Sequence, residues 1–524
     1  MSAHVPPNES TGARHAPTVA GHSAPESPGA EPVSGVHRPP MAWGPVGVVA
    51  GVVAVLVVAT SGAYGYHRDE LYFRLLGQQP EWGYVDQPPA TPLLARFTVE
   101  VFGDHLWALR LPGALVLAAT AVLTALLARE LAGGRGAQVL AAASTATLFP
   151  LVFGHLLVTS TLDLVLTAAV LLAVVRALMR DARWWLVVGS LVGLTLYNKH
   201  LIVLTLVAIG IGMLIVGPRR ALLSTWLLGG IGIALVVGAP NIGYQVANGW
   251  PQLEMAEAIE RNKGDESRVL FVPLQLALVG IFLTPVWVAG IVRLLRAPEL
   301  RPVRALAVAY PVLCVLVLVT GGQPYYTAGL VLALFAAGAT PVVSWMSGHR
   351  GRRVAVAAAY TTSLVISGLF ALPLLPVDVL ARTPIADINQ ATSDQIGWPT
   401  YVAQIADVHR SLPPDEAARA VILTANYGEA GALDRFGDPY DLPAVVSGHN
   451  ELWSRGQPPE GSDVVVAVGY SPEWLDADFG SCEVAAQLDN GVGIPNEEQG
   501  LPILVCRDPN RTWAELWPDL RHYD

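Results

Sequence analysis

The sequence predicts an α-helical polytopic membrane protein of about eleven spans, closed by a small C-terminal α/β domain. Three observations predict it. The 524 residues are 52% hydrophobic and only 14% charged, with a mean hydropathy of +0.45. A soluble chain of this size carries about a quarter charged residues. The apolar residues fall in long runs, and the arginines fall in alternate connections between those runs. After about residue 374 the runs stop, and short β-like stretches alternate with helix-like ones.

Residues 1–41 are rich in Pro, Ser, Ala, Gly and His and lack apolar periodicity, the composition of a disordered tail. The tail is too long and too polar to be the leading region of a signal peptide. The first span, 42–63, is therefore an uncleaved anchor. Further spans are expected at 107–127, 138–154, 162–178, 184–198, 201–216, 221–239, 270–292, 303–320, 327–346 and 353–373. Arg129 and Arg135, then Arg176, Arg180 and Arg183, then Arg219 and Arg220, mark successive connections on one side. Arg293, Arg296, Arg301 and Arg304, then Arg350, Arg352 and Arg353, continue the series. The positive-inside rule makes that side cytoplasmic. The tail 1–41 is then inside, and the loops 64–106, 155–161, 240–268 and 321–326 face outward with the region 374–524. The membrane domain is thus expected over 42–373, multi-pass in the plasma (inner) membrane. In the outer domain, strands are expected at Ala420–Thr424, Asp463–Val468 and Ile503–Cys506, and a helix at Tyr401–Leu412. Cys314 sits in an apolar run and suits packing. Cys482 and Cys506 lie in the outer region, where they could form a disulfide. The net charge of −10 argues against a nucleic-acid partner.

The first outer loop is far longer than a turn. It reads Tyr66-His67-Arg68-Asp69-Glu70 and then Gly83-Tyr84-Val85-Asp86-Gln87-Pro88-Pro89, with amphipathic helices expected at Glu70–Leu76 and Thr91–Phe102. Asp69 and Glu70 follow the first span directly, so a carboxylate there can reach a lipid headgroup and an aqueous acceptor together. Asp163 opens another span from outside. An ionisable residue at membrane depth is functional by default, although Asp also suits an interfacial helix N-cap. Lys199 and His200 lie on the outer side between two apolar runs, against the usual charge bias. The chain has only one other lysine, Lys263. A cation at that depth suits a phosphate headgroup, and a lysine snorkelling to the interface would read the same way. Gln323-Pro324-Tyr325-Tyr326 forms an outer turn whose tyrosines also fit an aromatic belt. Asn241 and Trp250 offer the amide and the aromatic face that sugars favour, and Trp250 equally fits the belt.

The run Arg68-Asp69-Glu70, the tract Gly83–Pro89, the span opening at Asp163, Asn198-Lys199-His200 and Gln323–Tyr326 together resemble the membrane glycosyltransferases of the C-type fold. The nearest branch is the dolichyl-phosphate-mannose protein mannosyltransferase-like group, with the bacterial aminoarabinose transferases. The resemblance covers roughly residues 42–350, and Asn426–Gly431 and Ser447–Asn450 extend it into the outer domain. Relatives often carry His where Gln87 stands, and another version of the Gln323 turn. The family implies inverting transfer of a mannose-like or pentose-like sugar from a polyprenyl-phosphate carrier to a protein, lipid or polysaccharide acceptor, beside membrane lipids. It places Asp69, with Glu70 beside it, as the catalytic carboxylate, Lys199 and His200 on the donor phosphate, and Asp86 and Asp163 as orienting groups. Gln87, Asn241, Trp250, Tyr325 and Tyr326 complete the acceptor and sugar contacts. No cofactor is certain, and a divalent metal is left open.

Other signals carry less. Gly229-Gly230-Ile231-Gly232 has no preceding strand and suits helix packing. Asp476 and Asp478 lie in an acidic loop away from any nucleotide pool. A lipid-linked sugar flippase or transporter would share the many spans and few buried charges, but no internal repeat is visible and the charges gather at one face. Tyr427, Glu429, His449, Asn450 and Trp453 suit either an acceptor-presenting surface or loops that pack on the membrane domain.

Overall fold

The computed structural model describes residues 38–523. Most of the tail expected at 1–41 therefore lies outside the described residues. The remainder is a helical bundle carrying a five-stranded sheet after its last long helix.

Apolar runs become helices because backbone N–H and C=O groups in lipid must bond within the segment. The bundle begins with α1 (Trp43–Thr60), and the first outer loop holds α2 (Arg68–Gly77) and α3 (Ala90–Phe102). Then come α4 (Leu106–Glu130), α5 (Arg135–Ala143), α6 (Leu148–His155) and α7 (Thr159–Met179). They are followed by α8 (Trp184–Thr195), α9 (Leu201–Ile215), α10 (Thr225–Ala247), α11 (Pro251–Leu278) and α12 (Thr284–Arg296). The series closes with α13 (Ala305–Val319), α14 (Ala328–Met346) and α15 (Arg350–Ala371).

Each of the eleven expected spans falls on one or more of these helices, but not all are full spans. Among the described residues seven helical segments are long and apolar enough to cross a bilayer, or nine if two bent pairs each count once. The pairs are α5 with α6, bent by 64°, and α11 with Ile281–Arg296, bent by 71°. The segments expected at 184–198 and 201–216 form α8 and α9, of 12 and 15 residues. Those fall short of the ~20 residues a straight crossing needs.

The outer loop expected at 240–268 is a correction. That stretch is the end of α10 and most of the 28-residue α11. Charged residues such as Glu254, Glu260, Lys263 and Arg268 gave it the polarity of a loop, yet an exposed polar helix has the same composition. The bend that follows sits at Gly280, whose φ of +81° a side chain would strain.

α4 sets the polarity of the bundle. Arg110 lies near its start and Glu130 at its end, both fully buried. Twenty residues of helix separate them by ~30 Å, about the thickness of a hydrocarbon core. Glu130 accepts from Arg38 at 3.0 Å, Arg176 at 3.0 Å and Arg180 at 2.6 Å. Arg38, Arg176 and Arg180 therefore gather at one end of α4, and α2, through Glu70, lies at the other. Close approach of α8 and α10 depends on small residues, since a Cβ on Gly189 would lie 2.0 Å from the Gly230 carbonyl oxygen.

The sheet has the order β2-β1-β3-β5-β4, with β1 (Ala420–Thr424), β2 (Val445–Ser447), β3 (Val464–Val468), β4 (Phe479–Gln487) and β5 (Pro502–Pro509). β1 pairs in parallel with β2 and β3, while β5 runs antiparallel to β3 and β4. The helix expected at Tyr401–Leu412 forms as Trp398–Ser411, and the three expected strands coincide with β1, β3 and β5. β2 has three residues and β4 is a largely exposed edge, so neither carries an apolar run. Cys482 and Cys506 face each other across β4 and β5 and form a disulfide.

Candidate functional site

The site is built around the start of α2. His67 is its N-cap, accepting at Nδ1 from the Asp69 N–H at 3.1 Å. Glu70 closes the capping box by accepting from the His67 N–H at 2.9 Å. This cap fixes which way the two adjacent carboxylates point, because consecutive helical residues diverge by about 100°. Glu70 turns inward and is fully buried. It accepts from Arg110 Nη2 at 2.7 Å, Arg110 Nε at 2.9 Å and the Leu157 N–H at 3.0 Å. Arg110 also donates to the carbonyls of Ser61 and Gly65 at 3.2 and 2.6 Å. Glu70 is thus held on four sides, with no open lone pair aimed at solvent.

Asp69 turns outward and its side chain is 31% exposed. It lines a cavity of about 330 Å³ with His67, Arg68, Lys263, Tyr325, Tyr326 and Tyr427, among others. That volume suits a small ligand. Tyr325 is held edge-on to Tyr326, at 5.0 Å between ring centroids, and is backed by Phe149 at 5.4 Å. Lys199 is not part of the cavity wall. Its ammonium lies 5.4 Å from the Tyr325 ring and 4.9 Å from the Tyr326 ring, and donates to Ser160 Oγ at 3.3 Å. Asp163, one turn into α7, has a buried Oδ1 with no hydrogen-bond partner among the described residues. The helix N-cap there is Val158, so the N-cap alternative for Asp163 does not hold. Asp69, Tyr325, Tyr326 and Lys199 are therefore brought together, with Asp163 close to the lysine.

The other sequence candidates scatter. Asp86 accepts from the Tyr72 hydroxyl at 3.2 Å. Burial, reinforced by Glu451, pushes its carboxyl up to about 7. Gln87 is buried, and its Nε2 has no hydrogen-bond partner among the described residues. The ring of His200 pairs with Asn241 Oδ1 at 2.8 Å, and Asn241 donates to the Trp82 carbonyl at 3.0 Å. Both engage each other rather than Lys199. Trp250 is 46% exposed and caps α11 in the left-handed conformation.

Sequence reading missed Arg110, although an arginine inside an apolar run is the same signal that marked Lys199. Arg68 was read only as part of the motif. Its guanidinium covers the Tyr427 ring at 4.9 Å and pairs with Glu497. Tyr427, from the helix Tyr427–Phe436 beyond β1, donates its hydroxyl to Asp69 Oδ1 at 2.9 Å. Glu429, His449 and Asn450 are buried, and Trp453 donates to the Trp517 carbonyl at 2.9 Å. The packing alternative therefore fits those four, and Tyr427 alone of the five reaches the site. Asp394 lines the same cavity, and burial raises its carboxyl to about 7 against the pull of Arg68. Among the described residues no three His, Cys, Asp or Glu side chains converge as a metal site.

Comparisons with known proteins bear on this arrangement. The family model described as dolichyl-phosphate-mannose-protein mannosyltransferase matches residues 86–244, which include Asp86, Asp163 and Lys199 but not Asp69. No curated protein matches the chain by sequence. Among solved structures, ArnT from Cupriavidus metallidurans bound to undecaprenyl phosphate is similar, with a TM-score of 0.56 at 16% identity over 87% of this chain and 97% of that one. The same protein in its apo state gives a TM-score of 0.53 at 16% identity over the same shares, 87% and 97%. This chain is a polytopic membrane protein with the C-type glycosyltransferase fold.

Proposed function

We propose that the chain moves a sugar, mannose-like or pentose-like, from a polyprenyl-phosphate carrier to an acceptor hydroxyl outside the cytoplasm, with inversion at the anomeric carbon. The acceptor oxygen attacks that carbon, its proton passes to Asp69, and the carbon–oxygen bond to the carrier phosphate breaks with its electrons moving to the phosphate. Lys199 and Arg68 offset the charge growing on that phosphate. Glu70 is a positioning residue that fixes Asp69 through the α2 cap and Arg110. Asp163 orients Lys199 and Asp86 holds Tyr72, whereas Gln87, His200, Asn241 and Trp250 border the site. The N-terminus is cytoplasmic, residues 42–373 form the membrane domain, and residues 374–524 stand outside the plasma membrane. The arginine cluster around Glu130 at the opposite end of the bundle supports this orientation.

One observation carries the reading. An outward carboxylate at the start of α2 shares a cavity with two tyrosines, and a lysine ammonium lies about 5 Å from both rings. The test uses purified protein, polyprenyl-phosphate mannose or arabinose, and an envelope fraction from a deletion strain as acceptor. Wild type releases carrier phosphate and labels the envelope, and Asp69→Asn lowers both by roughly 10²–10⁴-fold. Translocation of the lipid across vesicles with no phosphate release would make the protein a flippase instead.

A further inference from the structure

The contact between Tyr427 and Asp69 has more content than a packing interaction. Tyr427 belongs to the α/β domain and Asp69 to the first loop of the membrane domain, 358 positions apart in the chain. The phenol ring is held firmly in place. It stacks on Tyr72 with centroids 4.5 Å apart and on His449 at 4.9 Å, and His449 in turn stacks on His522 at 4.7 Å. Arg68 covers the ring from another direction at 4.9 Å. The Tyr427 N–H is tied to His449 Nδ1 at 3.2 Å. A ring so clamped delivers its hydroxyl to a single place, the Asp69 oxygen at 2.9 Å. Burial and the neighbouring Asp69 hold the phenol well above its ordinary range, so it stays a donor.

A neutral O–H donated to the carboxylate is the same contact an acceptor hydroxyl makes when it begins its attack. On the transferase reading above, on which this inference rests, the carboxylate otherwise faces a cavity open to water. Water has the same O–H group and would attack the donor sugar unproductively. We propose that Tyr427 is a specificity-determining residue that occupies the acceptor-hydroxyl position on Asp69 while no acceptor is bound. It thereby withholds Asp69 Oδ1, the oxygen it bonds, from water. An incoming acceptor takes over that hydrogen bond as the phenol O–H rotates away about its C–O bond, with the ring still in its stack. In the reaction it suppresses, a water oxygen bonds to the anomeric carbon, one water proton goes to Asp69, and the carbon–phosphate-oxygen bond breaks. The products are free sugar and carrier phosphate. The arrangement gives the α/β domain a direct part in choosing the nucleophile.

Tyr427→Phe removes the hydroxyl and keeps the ring in its stack. The full chain in detergent is given polyprenyl-phosphate mannose or arabinose without acceptor, and released free sugar is measured. Loss of one hydrogen bond to a charged group predicts hydrolysis about tenfold faster in Tyr427→Phe than in wild type. The gain disappears in the double variant with Asp69→Asn, because the base it exposes is gone. A ring that merely packs the domain would give unchanged or slower hydrolysis, never a gain. If wild type transfers sugar to the envelope fraction and Tyr427→Phe hydrolyses donor no faster, the inference is overturned and the transferase reading stands. If wild type releases no carrier phosphate with either donor and the envelope fraction, both fall together.

Discussion

Glu70→Gln separates two carboxylates that the sequence presents as a pair. In wild type the Glu70 carboxylate and the Arg110 guanidinium are both fully shielded from solvent and share contacts at 2.7 and 2.9 Å. The amide keeps the shape, but its single carbonyl oxygen can accept from the Leu157 or the His67 N–H group and not from both, since these bond different oxygens of Glu70. It cannot balance the buried guanidinium. Removing one partner of a buried ion pair costs about 3–5 kcal/mol because the other charge stays behind. Arg110 keeps neutral acceptors at Ser61 and Gly65, which places Glu70→Gln at the lower end, about 3 kcal/mol. The assay is loss of folded protein in detergent, followed by denaturant titration, for wild type, Glu70→Gln, Arg110→Met and the double variant Glu70→Leu with Arg110→Met. The two single changes should be severe and strongly non-additive, with the double recovering part of the loss. Stability within about 0.5 kcal/mol of wild type in Glu70→Gln would refute the argument. So would loss of transfer as deep as in Asp69→Asn from protein that remains fully folded.

The other predictions concern charge, pH and the disulfide. Lys199→Met should lower transfer by roughly 10²–10³-fold while the protein stays folded, with Lys199→Arg keeping part of the rate; steady-state kinetics with labelled donor measure both. Burial, with Glu498 adding to it, raises the Glu429 carboxyl from 4.5 to about 8. The folded chain therefore holds a proton there that the unfolded chain has released, so this contribution to stability is complete below pH 4.5 and is lost as pH climbs through 8. Glu429→Gln imitates the protonated form and should gain on wild type in thermal unfolding as pH rises across that window; a constant difference would contradict it. Opening the Cys482–Cys506 bridge, which spans 24 positions, should destabilise the α/β domain by about 3 kcal/mol, measured as Cys482→Ser with Cys506→Ser against wild type in denaturant.

The membrane helices were legible because apolar length is the signal that bilayers impose. α11 was not, because polarity alone cannot distinguish a loop from an exposed helix. β2 and β4 escaped for the converse reason: a three-residue strand and an exposed edge bury too little to leave a pattern. In the site, adjacency in sequence joined Asp69 to Glu70, whereas the helix turns them to opposite duties. Lys199 and His200 were grouped the same way, yet only Lys199 approaches the tyrosines. Arg110 and Tyr427 each meet α2 from a distant part of the chain. Such contacts depend on tertiary folding, and no local periodicity announces them. Tyr427 was visible as an aromatic residue in a polar tract, but its partner was not.

Asp69, from the cavity, and Lys199, from beside the Tyr325 and Tyr326 rings, are proposed to serve one lipid-linked donor. A structure of the chain with a bound polyprenyl-phosphate sugar decides it. The expected structure has a phosphate oxygen within about 3 Å of Lys199 Nζ, beside Tyr325 and Tyr326, with the anomeric carbon turned toward Asp69. A phosphate seated away from Lys199, or a sugar with packed side chains between it and Asp69, would contradict it.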